Sequence, residues 1–257
     1  GDLWIGTYGD GLNRLEYSTE SFISYRMKLE NDRSLSHDTV QAINETEDGS
    51  LWIGTKNGLN RLRKDRTGFD RFFHNRSGQE NVPNNSISVI YVDRDSILWL
   101  GTLDYGLTRF DPKTGKYRIY NDENGLSNNN VFGIVEEISE RKRYLWISTN
   151  FGLSRLEIDR EKFTIFKKSD GLQGNEFNFN AYLKLSNGRF CFGGVNGFNL
   201  INPKSLKKSQ FAPPVVITDF MKFNKSVRLE KEIEYTEKII LSHEDLFFSF
   251  KFAALDF

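Results

Sequence analysis

The chain has 257 residues, with 35 Lys and Arg against 35 Asp and Glu, so no net field draws it to nucleic acid or an anionic membrane. Hydrophobic residues at 38% and aromatics at 14% suffice for a packed core and exclude a disordered chain. Its apolar runs are far too short for a membrane span, and the single cysteine, Cys191, excludes an internal disulfide. No secretory signal opens the chain, and Gly1 does not read as a natural start either.

Taken in chain order, the elements restate one pattern. A short apolar strand comes first in each unit: "TVQAINET" from Thr39, "SISVIYVD" from Ser86, "VFGIVEEI" from Val131. "LWIGT" or a close variant follows, placing Trp4, Trp52, Trp99 and Trp146 at spacings of 48, 47 and 47 residues. Cys191 stands in the tryptophan slot of a fifth copy, "RFCFGGVNGFNLI", 45 residues on. The third segment is "GLNRL" at Gly11 and Gly58, "GLTRF" at Gly106, "GLSRL" at Gly152 and "GFNLI" at Gly197. An aromatic strand completes the unit: "FISY", "FDRFF", "YRIY" or "FTIF". Turn residues such as Asp48-Gly49 and Asn187-Gly188 separate these runs, which are too short and too β-rich for helices.

Four short strands in about 47 residues predict a β-propeller blade. A blade lies between two neighbours and buries both faces, so "LWIG" is apolar throughout, the tryptophans are core residues, and the glycine marks close backbone approach. The first unit lacks its first strand and the fifth its aromatic strand. The expectation is an all-β chain: an incomplete propeller ring over residues 1–208, with three complete and two partial units. Over 209–257 the repeat stops. "FAPPVVITDFMKFNKSV" and strand-like runs around Ile239 and Phe247 read as the start of a β-sandwich, with Phe248, Phe250 and Phe252 on one face.

Connections alternate between the two ends of a blade, so the turn from strand two to three and the linker from strand four to the next blade share one face. The linkers are long and polar: "RMKLENDRSLSHD", "HNRSGQENVPNN", "NDENGLSNNN" and "KKSDGLQGNEFN". Long loops on a rigid scaffold are where binding residues concentrate. The turns on that face vary most between units, and they supply the candidate ligand residues Tyr8, Asp10, Lys56, Asn57, Asp104, Tyr105, Asn150, Phe151 and Asn196. Aromatic rings with amides and charged groups suit carbohydrate; solvated turn residues are the plainer alternative. Asn178 and Asn180 join the set: in a strand they share a face and either line the channel at the propeller axis or bond neighbouring loops.

Catalytic and cofactor patterns are thin. His37, His74 and His243 form no metal spacing, and neither a Gly-x-Ser-x-Gly elbow nor a phosphate loop is present. The expectation is no enzyme, no cofactor and no metal, although propellers do host lyases and hydrolases.

"DGSLWIGTKNGLNRL" resembles the two-component-regulator propeller repeat of periplasmic sensors in Bacteroidetes hybrid two-component systems. "NEFNFNAYLKLSNGRFCFGGVNGFNLINP" is similar to the closing repeat of those propellers, and "LSHEDLFFSFKFAALDF" to the start of the Y_Y_Y sandwich that follows. The resemblance implies the extracytoplasmic, periplasmic part of a histidine kinase sensor that detects an oligosaccharide and switches on glycan-degrading genes. It further implies a homodimer of the parent sensor, anchored in the membrane only through segments this chain lacks. The alternative is a propeller scaffold for protein partners with no small ligand.

Overall fold

A computed structural model describes residues 2–73, 86–139, 142–203, 205, 215–229, 231–236 and 238–254. The chain divides into two compact units, Gly1–Leu206 and Lys207–Phe257.

Among the described residues, the first unit is a succession of five antiparallel sheets, the blades. Blade 1 has three strands, β1 (Leu3–Gly6), β2 (Leu12–Glu16) and β3 (Ser21–Tyr25). Blade 2 has four: β4 (Val40–Glu45), β5 (Leu51–Thr55), β6 (Gly58–Leu62) and β7 (Phe69–Phe72). Blade 3 comprises β8 (Ile87–Val92), β9 (Leu98–Thr102), β10 (Leu107–Phe110) and β11 (Tyr117–Tyr120). Blade 4 comprises β12 (Val131–Ser139), β13 (Lys142–Thr149), β14 (Gly152–Glu157) and β15 (Lys162–Phe166). Blade 5 returns to three, β16 (Phe177–Lys184), β17 (Phe190–Gly194) and β18 (Gly197–Ile201). This is the expected open propeller.

The core lies in the four seams between blades, and the repeat is written to fill them. Leu51 and Ile53 of β5 pack back toward blade 1 with Leu12, while Trp52 between them packs forward with Ile87, Leu98 and Phe110 of blade 3. The same division holds one blade on: Leu98 and Leu100 face blade 2, and Trp99 faces Val131 and Leu145 of blade 4. Successive residues of a strand point to opposite faces, so a strand serving two seams must be apolar at every position. The open ends show the converse. Leu3 and Ile5 are 44% and 37% exposed because no described sheet covers them, and in blade 5 Phe198 and Leu200 are likewise exposed.

Each aromatic fourth strand packs a ring against the tryptophan of its own blade. Centroid separations are 5.8 Å for Trp4–Tyr25, 5.5 Å for Trp52–Phe72, 6.0 Å for Trp99–Tyr120 and 5.3 Å for Trp146–Phe166. Contacts then cross the seams, as in Phe72–Phe110 at 5.7 Å and Tyr120–Phe163 at 5.9 Å. The first strands β4, β8, β12 and β16 are innermost and stitched to one another. Asn44 Nδ2 donates to the Ile90 carbonyl at 3.0 Å, Ser88 Oγ to Val131 at 2.7 Å, and Lys184 Nζ to Glu136 at 2.8 Å.

The second unit contains one described sheet, with β19 (Val215–Lys222) between β20 (Lys225–Ser226) and β21 (Phe248–Ala254). Phe220 is buried beneath Phe250 and Phe248, at 5.2 and 6.4 Å between centroids. The run around Ile239 is not a strand: residues 238–240 pair with no described strand. A 3-10 turn, Ile233–Tyr235, precedes it, and a Ser242–Asp245 turn closed by Asp245 N–H to Ser242 carbonyl at 3.1 Å follows.

Candidate ligand-binding face

The turns between second and third strands are built around the threonine that ends "LWIGT". Its Oγ1 donates to the carbonyl of the glycine opening the third strand, at 2.8–2.9 Å in Thr7–Gly11, Thr55–Gly58, Thr102–Gly106 and Thr149–Gly152. The same oxygen accepts a turn N–H from Asp10, Asn57 and Phe151. Gly11 and Gly106 hold φ of +74° and +83°, where a side chain is disfavoured. The N–H groups of Gly11, Gly106 and Gly152 donate to Asp38, Asn129 and Asn175 in the linker leading to the next blade. Linkers and turns therefore share one face, as the alternation of connections requires.

The linkers are built loops. Leu35 is buried in the seam between blades 1 and 2 and Leu126 in that between blades 3 and 4, and Leu172 packs in the seam between blades 4 and 5. The next residue is bonded inward: Ser36 Oγ meets Thr55 Oγ1 at 2.8 Å, Ser127 Oγ meets Thr149 Oγ1 at 2.9 Å, and Gln173 N–H donates to Asn199 Oδ1 at 3.1 Å. Two linkers carry a 3-10 turn, Asp122–Asn124 and Lys168–Asp170, ended by left-handed Gly125 and Gly171. The Asn129 and Asn175 side chains accept N–H bonds from these turns at 2.9 and 2.8 Å. Arg71 reaches into the first linker and donates to the Leu35 and Asn31 carbonyls at 3.0 and 2.9 Å. Burial holds its pKa below the ordinary value. The sequence signal for these anchors was the "LS" pair repeated in two linkers. The linker 74–85, with His74, lies outside the described residues.

All eleven candidate residues are exposed. The structure brings neighbouring turns together in pairs. Tyr8 forms a β-bridge to Thr39, whose carbonyl also accepts the Lys56 N–H at 3.1 Å. Asp104 N–H donates to Asn130 Oδ1 at 2.9 Å, and Asn150 N–H donates to the Asn130 carbonyl at 3.2 Å. Asp10 pairs with Arg26, Lys167 Nζ lies 4.7 Å from the Phe151 ring centroid, and Asn196 N–H donates to Gln173 Oε1 at 2.8 Å. Tyr8, Tyr105 and Phe151 are 83%, 53% and 45% exposed, three rings on one face.

Asn178 and Asn180 do not share a strand face. Register in β16 jumps from Phe177–Gly194 to Tyr182–Phe192, leaving 178–181 as a bulge, and Asn180 holds φ of +56°. Its Nδ2 donates to the Gln41 carbonyl of blade 2 at 3.4 Å. No alternation rule applies across such a bulge.

A second polar cluster escaped the sequence reading. Arg143 of β13 binds Glu136 at 2.9 Å and reaches Asp93 at 3.1 Å and Asp95 at 2.5 Å in blade 3, with Tyr91 Oη donating to Glu136 at 2.7 Å. Burial opposes the Arg143 charge, but the bonds to Glu136 and Asp95 outweigh it and raise its pKa. Burial first, then Glu136, raises that of Tyr91. Clefts of about 610 and 480 Å³ in the second unit and about 290 Å³ between blades 1 and 2 contain none of the eleven candidates. Among the described residues no group of three or more His, Cys, Asp or Glu could hold a metal, and no helix is long and apolar enough to cross a membrane.

Residues 34–57 and 81–104 match the family described as two component regulator propeller. Histidine kinase P4 of Formosa agariphila is 33% identical over 136 residues, covering 50% of this chain and 10% of that protein. The extracellular domain of the hybrid two component system BT3049 from B. thetaiotaomicron superposes with a TM-score of 0.73 at 26% identity, over 98% of this chain and 34% of that domain. Hydrazine synthase of Kuenenia stuttgartiensis, at 12% identity and a TM-score of 0.52 over 75% of this chain and 58% of its own, shares the fold alone. The chain thus spans about a third of the solved sensor domain and a tenth of the curated kinase. It carries two-component-regulator propeller repeats on a fold shared with the extracellular sensor domain of a hybrid two-component system.

Proposed function

We propose that this chain is the ligand-recognising part of a periplasmic hybrid two-component sensor that detects an oligosaccharide and signals to glycan-utilisation genes. The observation that carries the reading is its likeness to the extracellular domain of such a system over 98% of its length. The linker face supports a sugar ligand. It presents exposed Tyr8, Tyr105 and Phe151 beside the amides of Asn57, Asn150 and Asn196, on turns held by the threonine clips. Aromatic faces take the C–H surface of a sugar ring, and amides serve hydroxyls as both donor and acceptor. A sandwich that includes residues 209–257 and a homodimeric parent would carry the signal to a kinase. Ligand binding shifts that equilibrium only by its differential affinity for the two arrangements.

The test is thermal denaturation against oligosaccharides released from a panel of polysaccharides. A rise in melting temperature that saturates with sugar concentration supports the reading. No rise with any sugar, together with stabilisation by a protein partner, would move the scaffold reading ahead; release of shortened products would make the chain an enzyme.

A further inference from the structure

The four innermost strands share an irregularity that the repeat pattern does not reveal. Each breaks register directly after its first buried residue. Val40 pairs with Thr55 and Ala42 with Gly54, leaving Gln41 as an extra residue. Ser88 and Phe132 are extra in the same way in β8 and β12. In β16 the single extra residue has grown into the bulge 178–181. Bulges re-aim side chains and concentrate next to binding sites. These four stand at the same level, at the end of the inner strands that opens on the linker face.

Three of them converge. From blade 5, Asn180 Nδ2 reaches the Gln41 carbonyl of blade 2 at 3.4 Å, a contact between residues 139 apart in sequence. Phe179 meets Phe132 of blade 4 edge to face at 6.3 Å between centroids. Ser88 is fully buried and serves instead as a stitch to Val131. The mouth of the inner-strand wall therefore has the Asn180 amide against the Gln41 carbonyl on one side and Phe132 with Phe179 on the other, with exposed Asn178 in the same bulge. Phe179 is 40% exposed, both asparagines are exposed, and none of the five groups is ionisable. Asn180 keeps left-handed φ at a position where glycine would cost less, which holds its amide at the mouth.

Resting on the sensor reading above, we infer that this axial mouth, rather than the outer turns, is the principal binding site, and that it takes a neutral pyranose at an oligosaccharide end. The ring would lie against Phe179, with hydroxyls bonded by Asn178 and Asn180. A uronate or sulfated sugar would find no counter-charge among these groups and would lose hydration on binding.

The experiment is calorimetric titration of the full chain with maltohexaose, cellohexaose, xylohexaose, oligogalacturonate and a sulfated galactan oligosaccharide. It is repeated on Asn180→Gly, Phe179→Ala and the outer-turn variant Tyr105→Ala. Asn180→Gly keeps the backbone conformation and removes only the amide. The expected result is binding of a neutral oligosaccharide that Asn180→Gly and Phe179→Ala each weaken about tenfold, with Tyr105→Ala weakening it less than either. If Phe179→Ala unfolds in the absence of sugar, Phe179→Leu and Asn178→Ala carry the test. Loss on Tyr105→Ala with the axial variants unaffected overturns the axial site and leaves the sensor reading standing. Binding confined to the anionic sugars overturns the neutral-pyranose assignment. Binding of none of the five sugars overturns the axial site as stated; the sensor reading falls only if the wider polysaccharide panel also leaves the melting temperature unmoved.

Discussion

The residues of "LWIGT" divide four jobs among them. In blade 2, Leu51 and Ile53 fill the seam behind, Trp52 fills the seam ahead, Gly54 admits the next blade, and Thr55 clips the turn. A Cβ on Gly54 would stand 2.7 Å from Ile87 Cγ2, on the first strand of blade 3. Gly54→Ala should therefore force blades 2 and 3 apart and cost about 1–3 kcal/mol, read as a lower melting temperature. Blade 4 departs from the rule informatively. It has Ser148 in the glycine position, and its cross-strand partner is Gly133, where blades 2 and 3 have Ala42 and Val89. The missing side chain has moved to the opposite strand, and a Cβ on Gly133 would meet Tyr182 Cδ1 of blade 5 at 2.4 Å and Ser148 Oγ at 2.8 Å.

The turn and its linker act as one element. Thr149 is fully buried; its Oγ1 donates to Gly152, accepts from Phe151 N–H and lies 2.9 Å from Ser127 Oγ. Thr149→Val keeps the shape and orphans buried partners in both turn and linker. The expected loss is about 1–3 kcal/mol by denaturant titration, the cost of leaving a buried group unpaired. The aromatic strand of blade 3 gives a pH signature. Burial, then the hydrogen bond to Glu161, push the Tyr120 pKa from 10.0 up to about 12. An acid with a raised folded pKa favours its neutral form. Its contribution is complete below pH 10 and is lost as pH rises toward 12. Melting temperature should fall across that window, and less so in Tyr120→Phe, which has nothing to ionise.

In the first unit, stability resides in the seams, because each aromatic and aliphatic cluster joins residues of neighbouring blades. The seam between blades 3 and 4 adds a buried ion network, with Arg143, Glu136 and Asp93 at 8%, 5% and 5% exposure. Removing one member leaves charges buried without a partner, which costs more than an intact pair contributes. Arg143→Met should destabilise the chain by about 3–5 kcal/mol, measured by chemical denaturation, while an Arg→Met change at exposed Arg26 should change it little.

By itself the sequence determined the blade. A repeat of about 47 residues, four β-rich segments per unit and apolar runs without alternation leave no other way to bury both faces of each sheet. It also determined which turns share a face, because antiparallel connections must alternate. Only the tertiary structure decided what the polar residues do. "RSLSHD" and "NGLSNNN" read as solvent loops, yet their leucines enter the seams and their serines bond the threonine clips. Nothing in the repeat pattern pairs Arg143 with Asp93, yet they meet across a seam. Gln41 and Asn180 stand 139 residues apart and face one another at the inner-strand mouth. Periodicity reports the local direction of each side chain, which backbone geometry dictates. A hydrogen bond between blades depends on how far each strand has bulged and turned, and that is set by packing of all the blades at once.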